Sequence, residues 1–176
     1  MKIIKDIIHS NNILDLVEIS LDTFEDDRGQ IWTVYSDEFS DHQFVQDKIT
    51  ISKFNVLRGF HGDSDTTKLI CCLEGKFQLV VIDLRKNSKT YGNSETYIVS
   101  SNSPSVIVVP AGCVNAHLCL SDKCIFYYKW SKKYDGAANQ ITIAWNDPDL
   151  RVSWPIKDPI LSDRDLNGNP MNGIYL

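Results

Sequence analysis

Short runs of β-branched and aromatic residues recur along this chain, separated by a few Asp, Asn, Gly and Ser residues, and they leave it little to become except antiparallel sheet. The pattern predicts strands in "LVEISLDTF" (16–24), "IWTVYS" (31–36), "KITISKF" (48–54), "KLICCL" (68–73) and "KFQLVVIDLR" (76–85). More follow in "TYIVS" (96–100), "SVIVVP" (105–110), "AHLCL" (116–120), "KCIFYYKW" (123–130) and "QITIAW" (140–145). Helical periodicity is weak almost everywhere. Glu74 and Gly75 join two apolar runs and read as a hairpin turn. Many short strands with tight connections indicate an all-β sandwich or barrel. From about Trp154 the chain is rich in proline, with Pro155, Pro159 and Pro170 following Pro148, so an irregular C-terminal tail is expected to wrap the barrel. With 176 residues and no linker or repeat, residues 1–176 read as one domain.

Charge and cysteine content exclude several classes. The net charge of −5 argues against a nucleic-acid binder, which shows a basic face, but a few local Lys and Arg suffice for a small anionic ligand. "MKIIKDIIHS" has apolar runs of only two residues and does not read as a signal peptide, and no stretch approaches the ~20 apolar residues of a membrane-spanning helix. The five cysteines form no CxxC, so reduced, buried thiols in a cytoplasmic protein are expected.

"VLRGFHGDSDTTKL" (56–69) puts Arg58, Gly59 and His61 straight after a strand-like run. A His on an inner strand of a jelly roll first suggests a metal. Such a site wants a second His close by, a nearby Glu, and a third His on a later strand. Asp63 stands two residues after His61, Glu74 lies in the expected turn, and Asn115 occupies the later position. One intact ligand does not hold a metal, so none is expected. His117 and His42 read as hydrogen-bonded histidines.

The order "F-x-D-x-RG" (Phe24, Asp26, Arg28, Gly29), "FVQDKITIS" (44–52), "VLRGFH" (56–61), "KL" (68–69), "VVIDLR" (80–85), "VPAG" (109–112), "YYKWSKKY" (127–134), "WNDPDLRVSWP" (145–155) and "ILSDRD" (160–165) resembles the dTDP-4-dehydrorhamnose 3,5-epimerase family. The resemblance implies a cupin-like jelly-roll barrel that is a homodimer, needs no cofactor, and epimerises nucleotide-linked 4-keto-6-deoxy sugars for a surface polysaccharide. It also implies site residues. His61 matches the family's base, Asp165 its paired carboxylate, and Tyr128 the tyrosine acid. Tyr134 matches a second active-site tyrosine, Lys68 a lysine near the sugar, and Arg58 an arginine on the diphosphate. Gln46 and Arg28 match nucleotide-side contacts, some of which cross the dimer interface.

These residue types suit the chemistry. A 4-keto group acidifies C3–H and C5–H, because either anion delocalises onto the ketone oxygen. Histidine, with an ordinary pKa of about 6.5, can remove such a proton near neutral pH. A carboxylate on its far nitrogen fixes the tautomer and stabilises the imidazolium. Inversion needs a distinct donor on the opposite face, which a tyrosine hydroxyl supplies, and the ammonium of Lys68 can stabilise the enolate. Taken singly, Arg58 and Lys68 also read as ordinary strand-end charges, Tyr128 as a core ring and Asp165 as a loop brace.

The chain departs from the family at Asn115-Ala116, where relatives carry His-Gly, at Leu79, at Lys48-Ile49, and in a shorter loop between His61 and Lys68. These changes are expected around the sugar pocket and nucleotide side, implying retained chemistry on an altered substrate, with a GDP-linked 4-keto-6-deoxyheptose as rival to a dTDP-linked hexose. Asn115 is expected to donate to a sugar hydroxyl or a phosphate. Two other functions stay open: a nucleotide-sugar 3,4-ketoisomerase, and a non-catalytic sugar-nucleotide-binding barrel.

Overall fold

The computed structural model describes residues 2–176. Thirteen strands appear in chain order: β1 (Ile4–His9), β2 (Val17–Leu21), β3 (Thr23–Asp26), β4 (Gly29–Trp32), β5 (Gln46–Lys53), β6 (Leu57–Gly62), β7 (Lys68–Glu74), β8 (Lys76–Asp83), β9 (Ser94–Ser100), β10 (Ser105–Val109), β11 (Cys113–Cys119), β12 (Lys123–Trp130) and β13 (Ile141–Thr142). One helical turn, α1 (Asp163–Leu166), lies in the tail. Two antiparallel sheets face each other, ordered β1-β2-β10-β7-β12-β5 and β13-β6-β11-β8-β9, and β3-β4 form a separate ribbon.

Alternation along the strands divides the apolar residues among three cores. Ile70, Cys72, Phe77, Leu79, Val81, Ile107 and Phe126 fill the space between the sheets. Leu69, Cys71, Val106 and Val108 face out from the larger sheet, covered by the N-terminal third through Trp32, Val34, Tyr35 and Phe44. Phe60, Val80, Ile82, Val114 and Ala116 face out from the smaller sheet, where Trp154, Met171, Ile174 and Leu176 of the tail cover them. The expected wrapping tail is therefore an apolar lid on one sheet, joined to it by bridges from Ile160 to Val56 and from Asn169 to Ile143.

Three local expectations change. Glu74-Gly75 is not a hairpin: β7 pairs with β10 and β12, while β8 pairs with β11 and β9, so the turn carries the chain from one sheet to the other. The run 16–24 splits after Leu21, with its end entering the ribbon. The segment carrying Arg58 and His61 follows β5, as expected, and is itself a strand, β6.

Candidate active site

An ideal strand sends residues three apart to opposite faces, yet Arg58 and His61 both line the same cavity. An irregularity in β6 resolves this. Asn115 of β11 stands opposite His61, and His117, two residues on, stands opposite Arg58, three residues back. One extra residue on β6 is a β-bulge. Gly59 sits within it with φ +120°, and a Cβ there would lie 2.5 Å from the Asn115 carbonyl oxygen and 2.7 Å from Ala116 Cα. Only glycine fits a backbone so conformed and so closely approached.

The bulge also frees an amide. Gly59 N donates to Asp165 Oδ1 at 3.2 Å, and Ser162 Oγ, the N-cap of α1, donates to Asp165 Oδ2 at 2.7 Å. So braced, Asp165 is 2% exposed, and its Oδ1 lies 2.7 Å from His61 Nε2. The ring N–H axis is turned off the oxygen, so the contact is an ion-pair distance without full hydrogen-bond alignment. Burial works to raise the Asp165 carboxyl, but its contacts with His61 and Ser162 and the Gly59 amide outweigh that and hold it below the usual carboxylate value. Burial pushes His61 below the usual histidine value, more than the neighbouring Asp165 lifts it, and Arg164 and Lys68 add to the lowering. The imidazole is thus neutral near pH 7, with a carboxylate at Nε2 and the lone pair left to Nδ1.

The cavity, about 220 Å³, is walled opposite His61 by inward side chains of β5 and β12. Phe126, Tyr128 and Trp130 alternate inward along β12, with ring centroids 5.0 and 5.8 Å apart. Burial raises the Tyr128 hydroxyl, against the pull of Thr50 and the Arg58 charge. Lys68, only 3% exposed, donates from Nζ to the His61 carbonyl at 3.0 Å and to Asn115 Oδ1 at 2.7 Å. Burial pulls its ammonium down to about 8, against the Asp63 charge. Arg58 is tethered through Nε to Ser52 Oγ at 3.2 Å. Lys48, Arg58, Lys68 and Arg164 face one carboxylate, Asp165, so the cavity is cationic in a chain of net charge −5.

Not every expected site residue converges here. Tyr134 lines the cavity, but Gln46 does not: its Oε1 accepts from Tyr134 N at 2.6 Å and positions that loop. Arg28 stands on the β3-β4 ribbon, 87% exposed and paired with Asp26, away from this cavity. Asn115 lines the cavity, and its Oδ1 accepts from Lys68. Leu79 lies in the inter-sheet core and Ile49 faces outward, so neither belongs to the pocket where the sequence placed them. His117 is no hydrogen-bonded histidine: its Nε2 has no partner, its ring stacks on Phe126 at 4.1 Å, and burial pushes it down to about 3. Sequence reasoning missed Gln140 and Arg164, each with a buried nitrogen lacking a partner at the cavity. Arg164 adjoins Asp165 on α1, and that adjacency was the available signal. Among the described residues, no three His, Cys, Asp or Glu side chains converge to hold a metal ion, and no helix is long and apolar enough to cross a membrane.

The family model described as dTDP-4-dehydrorhamnose 3,5-epimerase matches residues 10–172. The chain belongs to that family. Its curated relatives include a dTDP-4-dehydrorhamnose 3,5-epimerase of Methanothermobacter thermautotrophicus, 33% identical over 90% of this chain and 91% of the relative. A dTDP-6-deoxy-D-glucose-3,5-epimerase of Legionella pneumophila, solved with dTDP-4-keto-L-rhamnose, superposes with TM-score 0.89 at 29% identity, covering 96% of this chain and 94% of that one. A 3'-monoepimerase of Streptomyces bikiniensis with dTDP-quinovose gives TM-score 0.86 at 26% identity, over 93% and 87% of the two chains. The two facing sheets are thus the cupin-like jelly roll of the epimerases, and membership makes this chain an epimerase, an isomerase by class.

Proposed function

We propose that this epimerase inverts C3, or C3 and C5, of a nucleoside-diphosphate-linked 4-keto-6-deoxy sugar, with a dTDP-hexose as the first reading. The observation that carries the mechanism is His61 Nε2 held 2.7 Å from the buried Asp165 carboxylate in a cationic cavity. His61 takes the proton α to the ketone, and Asp165 stabilises the imidazolium. The Lys68 ammonium stabilises the enolate. Tyr128 returns a proton from the other face, with Tyr134 as the next candidate. Arg58 takes the diphosphate, whose negative charges suit a cavity where Lys and Arg outnumber carboxylates. The mechanism calls on no metal or organic cofactor.

The second reading, a GDP-linked 4-keto-6-deoxyheptose, is supported by the cavity side chains that depart from the family, Lys48 and Asn115, and by the brief connection between β6 and β7. We read residues 1–176 as one domain acting as a homodimer. Support comes from β5, an open sheet edge whose Ile49 and Ile51 are each 61% exposed, and from exposed Phe24 and Ile31 on the ribbon. Such an interface would carry Arg28 and Gln46 toward the nucleotide side of a shared site. Five free thiols fit a cytoplasmic protein, and by family resemblance its product feeds a surface polysaccharide.

The test is deuterium uptake. In D2O the enzyme incorporates deuterium at C3, or C3 and C5, of dTDP-4-keto-6-deoxyglucose or the GDP-heptose analogue, read by NMR. His61→Asn abolishes uptake while ligand affinity stays within about threefold. A 3-keto product would mean a ketoisomerase, and binding without exchange a non-catalytic barrel; either result overturns the proposal.

A further inference from the structure

Three aromatic rings enclose the ammonium of Lys48. Its Nζ lies 3.8 Å from the ring centroid of Tyr134, 4.7 Å from Trp130 and 5.6 Å from Tyr128. Among the described residues it makes no ion pair, and the adjacent Asp47 is engaged by Lys129 at 2.6 Å. Of the other cations at the cavity, Arg58 on β6 is tethered through Nε to Ser52 and its charge also favours an ionised Tyr128, while Lys68 on β7 donates to Asn115 and the His61 carbonyl. Asp165, the carboxylate lining this cavity, faces His61. Lys48 therefore meets mainly π-faces, two of them phenols.

A cation near a phenol ring is attracted by the ring's quadrupole. When the phenol ionises, negative charge spreads into the ring and the attraction grows, so the cation favours the phenolate over the phenol. We propose that Lys48 is a positioning residue for proton return, stabilising the phenolate that Tyr128 becomes. This rests on the reading of Tyr128 as the donor. In that step the enolate's electron pair forms the new C–H bond with the Tyr128 hydroxyl proton, and the ketone re-forms. The O–H pair stays on the phenolate oxygen. Tyr128 then regains a proton from solvent, and the His61 imidazolium releases one.

The inference separates two halves of the reaction. Abstraction by His61 followed by return from the same side washes deuterium in with retention, and needs no Tyr128. Inversion needs it. Lys48→Met should lower the ratio of inverted product to C3 washout about tenfold, and Lys48→Arg should restore it. Lys48→Gln serves as a second uncharged variant if Lys48→Met does not fold. Equal losses in washout and inversion, or a raised KM with an unchanged ratio, would overturn the role and make Lys48 a structural or anion-binding residue. Tyr128→Phe separates the two failures. If it inverts normally, the donor reading falls. If it loses inversion and the Lys48 variants do not, only the Lys48 proposal falls.

Discussion

Replacing Asp165 by Asn keeps the shape of the side chain and removes its charge. At an effective dielectric of about 20, unit charges 2.7 Å apart attract by about 6 kcal/mol. His61 keeps 24% of its side-chain surface exposed, and water entering the cavity trims the effect to about 4–5 kcal/mol. That energy is missing when the imidazolium forms, so proton abstraction should slow by about 10³–10⁴-fold. A similar carboxylate-to-amide change costs serine proteases about 10⁴-fold, through the wrong tautomer. The fold should survive. Gly59 N–H and Ser162 O–H each use one carboxylate oxygen, and an amide offers only one, so one donor is left unpaired at about 1–3 kcal/mol. In a chain of this size that is a fall in Tm of roughly 3–8 °C. The assay is deuterium washout at C3 under saturating substrate, with a thermal melt beside it. A folded Asp165→Asn chain exchanging within tenfold of the parent would refute the dyad as the source of basicity.

Lys68 gives a pH signature. Its ammonium is pulled to about 8 in the fold, so washout should decline as pH rises past that value. The unfolded chain, with an ordinary lysine near 10.4, then binds more protons between about 8 and 10.4, so this group adds about 3 kcal/mol of stability as pH rises through that window; melts of the parent against Lys68→Met from pH 7 to 11 would show whether the increment exists. Gly59→Ala should cost more than about 3 kcal/mol in urea unfolding, because the new Cβ meets backbone at 2.5 Å in a conformation that disfavours side chains; a loss under 1 kcal/mol would show that the bulge yields easily. The five thiols should be silent to a thiol reagent at pH 8 in the native protein and react together in denaturant, since burial pushes Cys71 and Cys113 up to about 12 and Cys72 to about 11. Rapid native reaction of any one would contradict its burial.

Strands with dense apolar content, such as β8 and β12, were legible because burial on both faces or a clean alternation writes itself into composition. β1 was not, since the doublets of "IIKDII" lack a period of two and most of that strand is exposed. β6 escaped because its bulge breaks the alternation at the functional residues. The Glu74-Gly75 turn misled because a corner between facing sheets and a hairpin within one sheet call for the same turn chemistry. Family resemblance supplied Asp165, which no local pattern ties to His61. The Lys48 cage depends on which β12 residues lie across from β5, a matter of register that one chain's sequence does not spell out.

His61 comes from an early barrel strand, while Asp165 comes from the tail segment that seals the outward face of the smaller sheet. During synthesis the imidazole is made about a hundred residues before its carboxylate. On the proposed dyad, a barrel that has closed but not received its seal would be chemically idle, and activity would report completed assembly. Proteolytic nicking between Trp154 and Ser162 should silence the enzyme long before it unravels the sheets.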